Sequence, residues 1–182
     1  LSTKDKSTLE RLKNEIQIQK ILYHPNIVQS KISFSDDFNY YIALEYCPGK
    51  NIREYLINSR QSHFSEPETR KILKDVLNGL VYIHRHKIIH YDIKLENFII
   101  GSDGKVKIAD FGLSTFARKV DKNKNSYVCG TPNYMSPEIL LKKGDENGYA
   151  SDIWAIGVSA FMLLTGKQPF AALVKEAIYN NI

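Results

Sequence analysis

Cysteine is scarce in this chain: Cys47 and Cys129 are the only two in 182 residues. Their separation gives neither metal-ligand spacing nor a disulfide framework, which excludes a cysteine-built zinc site and a stapled secreted scaffold and fits a reducing compartment. No charged-then-apolar signal pattern opens the sequence, so the cytosol or nucleus is the expected location. No apolar run reaches the ~20 residues that a membrane-spanning helix needs. The longest, Ile153 to Leu164, carries no charge and reads as a buried helix, and no membrane partner is expected. A basic arm is missing as well. The net charge of +5 is modest and the basic residues are scattered over helix faces and one loop, so nucleic acid is not expected as a partner. Repeats and low-complexity linkers are absent. What remains is a globular chain, 43% hydrophobic, long enough for one domain with a real core.

Residues 7–23 carry Leu9, Leu12, Ile16, Ile18, Ile21 and Leu22 near the helical period and predict an amphipathic helix. His24-Pro25-Asn26 ends it, because a residue before proline is pushed out of the helical region. Strands are predicted over 27–34 and 40–46 around the polar turn Ser35-Asp36-Asp37. Cys47-Pro48-Gly49-Lys50 is a break between a small first part and a helical second one. A short helix is expected over 51–59. Ser65-Glu66-Pro67-Glu68 is a capping box with Pro in the first turn. The helix it opens puts Ile72, Leu73, Val76, Leu77, Leu80, Val81 and Ile83 on one face and runs to about His86. Short strands follow over 97–100 and 105–109, joined by Gly101-Ser102-Asp103-Gly104. Residues 117–125 predict a polar loop, Ser136-Pro137-Glu138 opens another short helix, and 149–165 predict the buried one.

The chemistry concentrates in His90-Tyr91-Asp92-Ile93-Lys94-Leu95-Glu96-Asn97, followed by Asp110-Phe111-Gly112. An exposed Asp92 carboxylate could orient a hydroxyl and take its proton. The Asn97 amide oxygen and the Asp110 carboxylate suit a hard, oxygen-preferring Mg²⁺ ion, and Lys94 supplies a point charge for a transferring phosphoryl group. Alone, each has an ordinary reading: Asp92 capping a turn, Asn97 opening a strand, Asp110 a surface acid. In this order, with a strand hairpin between them, they point to phosphoryl transfer.

With these motifs the chain resembles a eukaryotic protein kinase. The resemblance implies a two-lobed α+β fold, here truncated, with residues 1–47 a remnant of the small β lobe and residues 48–182 a mainly helical C-lobe. It implies ATP and Mg²⁺ as cofactors and protein Ser/Thr hydroxyls as substrate. Glu15 matches the helix Glu that pairs with an ATP-anchoring Lys, and Leu44 matches the gatekeeper. Glu45, Tyr46 and Cys47 match the hinge whose backbone binds adenine, and Ile99 matches the apolar floor beneath the ring. Asp152 matches the buried Asp that braces the catalytic loop. Lys94 in D-I-K-L-E-N, together with Cys129-Gly130-Thr131-Pro132-Asn133-Tyr134, is the serine/threonine pattern, in which Thr131 contacts Asp92 and Lys94. Leu44 to Cys47, Glu66-Pro67-Glu68, Lys87 to His90 and Cys129 to Tyr134 look most like polo-like kinases; Aurora-type and NIMA-type kinases share several of these features.

Departures from the pattern carry their own expectations. No Gly-rich loop or strand Lys precedes Glu15, and Lys4 and Lys6 stand too near it to serve. Glu138 resembles a Glu that pairs with an Arg in a later helix, which the sequence does not reach. A fragment of a longer kinase is therefore expected, inactive in isolation; the alternative is a non-catalytic kinase-like interaction module. Tyr91 stands where the family has an Arg that pairs with a phosphorylated loop, so modification at Ser126 or Tyr127 is expected to act weakly. Gln19 and Ser30 fall where the family stacks apolar groups.

Overall fold

The computed structural model describes residues 6–58, 62–119, 129–141 and 147–170. The order is α1 (Lys6–Ile21), β1 (Ser30–Ser35), β2 (Tyr40–Leu44), α2 (Ile52–Asn58), α3 (Glu66–Arg85), β3 (Ile88–Ile89), β4 (Phe98–Ile100), β5 (Val106–Ile108), β6 (Thr115–Phe116), α4 (Pro137–Leu141) and α5 (Gly148–Thr165). Helices and small antiparallel sheets together make an α+β fold. The strands pair as three two-stranded sheets, β1 with β2, β3 with β6 and β4 with β5.

Helix α3 begins where its capping residues say it should. The Glu68 carboxylate accepts from the Ser65 N–H at 2.9 Å and from the Ser65 hydroxyl at 2.6 Å, satisfying a donor that the first turn leaves open. Ile72, Val76, Leu80 and Ile83 turn inward. Leu77 and Val81, expected on the same face, are exposed. With Leu73 they fall at i, i+4 and i+8, a stripe of their own about 100° around the helix from the buried one.

Helix α5 is long and apolar enough by composition to cross a membrane, and half of it is buried inside the fold. The reading of a wholly buried helix needs correction, since Ile153, Phe161 and Leu164 are exposed along one side. Its start is capped by the Asn147 side chain, which accepts from the Tyr149 N–H at 3.2 Å. It ends at Gly166, whose left-handed φ of 69° and close approach to the Ser62 carbonyl both require glycine. The Phe64 N–H donates to the Leu163 carbonyl at 2.8 Å, tying the start of α3 to the end of α5.

The first predicted strand is shorter than expected. Ile27 and Val28 are extended but pair with β5: the Val28 N–H donates to the Ile108 carbonyl and the Ile108 N–H to the Asn26 carbonyl, each at 2.9 Å. That pairing carries the first part of the chain into the main core, where Ile18, Leu22 and Ile27 join Leu80, Ile83, Phe98, Ile108, Phe111, Met162 and Leu163 in one cluster. The β1–β2 hairpin beyond it presents Ile32, Phe34, Tyr40 and Tyr41 to solvent. In α1, Ile21 is exposed and Gln19 is buried, its side-chain oxygen without a hydrogen-bond partner among the described residues. The expected loop from 117 starts with a tight helical turn over Ala117–Lys119. Ser126 and Tyr127 lie outside the described residues.

Candidate active site

The loop after β3 is shaped from α5. Asp152, 1% exposed, accepts from the His90 N–H at 3.0 Å and the Tyr91 N–H at 2.9 Å, and its Oδ2 also meets His84 Nε2 at 2.8 Å. A buried carboxylate needs such donors to offset lost hydration. Tyr91 is held at φ 63°, uncommon for a bulky residue. Asp110 shares that left-handed conformation, so two non-glycine residues with positive φ lie at the site, where over-determined backbone strain is usually found; the third among the described residues, Lys87, follows the C-cap of α3.

His90 is fully buried between this clamp and the Asp-Phe-Gly loop. Its Nδ1 accepts from the Asp92 N–H at 3.2 Å and its Nε2 lies 3.3 Å from the Ala109 carbonyl, the pattern of a neutral imidazole protonated on Nε2. Burial pulls its pKa down, against the opposing pull of Asp152, Asp92 and Asp110. The Phe111 ring packs edge-on against it at 5.0 Å.

Three residues expected at the site converge on the carboxylate of a fourth, Asp92. Lys94 Nζ lies 2.6 Å from Asp92 Oδ2 and donates to Thr131 Oγ1 at 2.9 Å, while the Thr131 hydroxyl donates to Asp92 Oδ1 at 2.9 Å. Asn97 Nδ2 donates to the Asp92 carbonyl at 2.9 Å and to Oδ2 at 3.1 Å. The expected exposed carboxylate is in fact buried, because Lys94, Asn97 and Thr131 crowd around it. No hydrogen bond among the described residues takes up Asn97 Oδ1. Asp110 is exposed, one oxygen accepting from the Gly112 N–H at 3.1 Å. Among the described residues no three His, Cys, Asp or Glu side chains converge on a metal position. One carboxylate and one amide oxygen fit Mg²⁺, which keeps waters and takes phosphate oxygens as its other ligands.

Glu15 reaches the same mouth from α1: a β-carbon on Gly112 would stand 3.2 Å from Asp110 Oδ1 and 3.7 Å from Glu15 Oε2. Burial and then the Asp110 charge push the Glu15 pKa up. No cation pairs with Glu15 or Glu138 among the described residues.

The segment after β2 supplies a different surface. The Glu45 N–H donates to the Gln29 carbonyl at 2.8 Å, and the Gln29 N–H returns a bond to Glu45 Oε1 at 2.8 Å. The Glu45 carbonyl and both backbone groups of Cys47 have no partner among the described residues. That leaves an acceptor and a donor in the order that the edge of an adenine needs. Leu44 is 45% exposed, Tyr46 is 84% exposed, and Ile99 is half-buried on β4. Burial and the Glu45 charge push the Cys47 thiol up, so it is no ready nucleophile.

Lys107 is the residue that sequence reading missed. Strand alternation between Val106 and Ile108 predicts it outside, yet it is buried, with Nζ 3.1 Å from both carboxylate oxygens of Glu45.

A family model described as "Protein kinase domain" matches residues 1–182. The chain belongs to the protein kinase domain family. Its relatives are polo-like serine/threonine kinases. Over 181 residues it is 40% identical to the cell cycle serine/threonine-protein kinase CDC5/MSD2 of Saccharomyces cerevisiae, covering all of this chain and 25% of that protein. It is 39% identical over 173 residues to the serine/threonine-protein kinase PLK2 of Rattus norvegicus, covering 95% and 25%. To the serine/threonine-protein kinase PLK4 of Xenopus laevis it is 38% identical over 174 residues, covering 96% and 18%. The kinase-domain chain thus spans about a quarter or less of the length of these relatives.

Proposed function

We infer that this chain carries the catalytic loop and nucleotide hinge of an ATP-dependent protein serine/threonine kinase of the polo-like type. The observation that supports this most is the closed contact set of Asp92, Lys94, Asn97 and Thr131 beside Asp110. Asp92 would orient the substrate Ser or Thr hydroxyl in line and receive its proton as the new O–P bond forms. Lys94 would place positive charge on the transferring group, and Thr131 holds Lys94 and Asp92 in register. Asn97 Oδ1 and Asp110 would hold Mg²⁺, which when bound neutralises charge on the phosphate oxygens. The Glu45 carbonyl and the Cys47 amide would pair with adenine over Ile99.

On their own the 182 residues are expected not to turn over, because among the described residues no cation stands between Glu15 and Asp110 and positioning of the triphosphate supplies much of the catalysis. The test uses the full-length protein that contains this chain. Mg²⁺-dependent phosphate transfer to a Ser/Thr substrate should fall by about 10²- to 10⁴-fold in Asp92→Asn. Equal activity in Asp92→Asn would overturn the catalytic reading. Absence of any thermal shift with Mg²⁺ and ATP would favour the non-catalytic interaction module.

A further inference from the structure

We propose that Lys107 is a positioning residue for nucleotide binding, fixing the hinge through the Glu45 side chain; this rests on the kinase reading above. Lys107 sits in β5, opposite Ile99 of β4 in the sheet register, and its side chain runs over Gly101, where an added β-carbon would come within 2.5 Å of its Cε. Only a residue without a side chain at 101 leaves that path open. The ammonium ends 3.1 Å from both Glu45 oxygens, with 9% of the Lys107 side chain and 20% of the Glu45 side chain exposed. Two charges so withdrawn from water are held by each other.

Glu45 is tied at two further points. It exchanges two bonds with Gln29, and the neighbouring Val28 N–H bonds the carbonyl of Ile108, the residue after Lys107. The ring therefore closes from Lys107 through Glu45, Gln29 and Val28 back to β5. The Glu45 carbonyl and the Cys47 amide, the groups that would meet adenine, stand just outside this ring. With the Glu45 side chain fixed, its peptide plane has little freedom, and the acceptor is set before the nucleotide arrives. Pre-organisation of this kind lowers the ordering cost of binding.

The full-length protein tests this with Lys107→Met, Lys107→Arg and Glu45→Gln, using ATP and purine riboside triphosphate, which lacks the amino group that the Glu45 carbonyl would accept from. For Lys107→Met we expect the KM for ATP to rise about tenfold, as for loss of one well-placed hydrogen bond, with kcat within about threefold. Glu45→Gln should follow it, Lys107→Arg should restore most of the affinity, and KM for purine riboside triphosphate should hardly move. A folded Lys107→Met protein with unchanged KM for ATP, or with equal KM rises for both nucleotides, overturns the proposal while leaving the kinase reading intact. A wild-type protein that binds neither nucleotide overturns both. If Lys107→Met does not fold, Glu45→Gln and Lys107→Arg decide by the same comparison.

Discussion

The Tyr91 ring occupies the space that a side chain at position 148 would need: a β-carbon on Gly148 would stand 2.5 Å from the Tyr91 hydroxyl and 2.7 Å from Ile89 Cδ1. The ring lies in a small apolar cluster with Ile89, Met135 and Ile139. A position that the family fills with a cation is here packed like a core residue. Gly148→Ala should therefore destabilise the full-length protein by about 1–3 kcal/mol through overpacking. Urea unfolding measures this, and a double variant with Tyr91→Phe should recover part of the loss. A neutral Gly148→Ala would show that the contact relaxes freely.

The same packing bears on regulation. A phenol in an apolar cluster offers a phosphate no bidentate partner. Replacing Ser126 by Ala, or Tyr127 by Phe, should leave kinase activity of the full-length protein within about threefold. Mapped phosphorylation at either residue with a stimulation of about tenfold or more would contradict this.

Thr131 gives a sharper test of the site. Thr131→Val keeps shape and removes the hydroxyl that links Lys94 to Asp92. Lys94 and Asp92 keep their direct contact in that variant, but each loses one hydrogen bond to the hydroxyl, which predicts a fall in kcat of about 10- to 100-fold, with Thr131→Ser close to wild type. If Thr131→Val retains full kcat, the hydroxyl has no part in holding the pair.

Acid should weaken the fold through His90. Its folded pKa is depressed by burial, whereas the unfolded imidazole takes up a proton near pH 6.5. Below that value the unfolded state binds the extra proton, so this contribution is complete above pH 6.5 and is lost as pH falls toward the depressed value. One proton gives a slope approaching about 1.4 kcal/mol per pH unit. Urea midpoints at pH 7.5, 6.5 and 5.5 should show the decline, and the His90 ring resonances should titrate below the unfolded value. A His90 ring that titrates at or above pH 6.5 would sink the assignment.

Local signals made much of this fold legible. Ser65, Pro67 and Glu68 place the start of α3, and Gly101 through Gly104 place the β4–β5 turn. The candidate site pattern in 90–97 and 110–112 could be read because the chemistry it points to depends on short fixed spacings. What stayed hidden depends on contacts between distant segments. Ile27 and Val28 look like the start of β1 until Ile108 is seen to bond them. Lys107 looks solvent-facing by alternation, and only Glu45, at the end of another strand, explains its burial. Tyr91 was recognisable as a departure from the family, but its role as packing depends on Gly148 and Met135. Gln19 was equally visible as a polar residue among expected apolar ones, and the structure buries it without supplying a physical reason.

The Asp152 clamp means that the loop after β3 does not open on its own. The amide protons of His90 and Tyr91 end on a carboxylate carried by α5, so releasing them requires moving that helix or breaking both bonds within the core. Their exchange with solvent deuterium should therefore keep pace with the amides in the middle of α5 and lag far behind that of the β1–β2 hairpin. A segment without regular secondary structure would then belong to the slowest-exchanging cooperative unit of the protein.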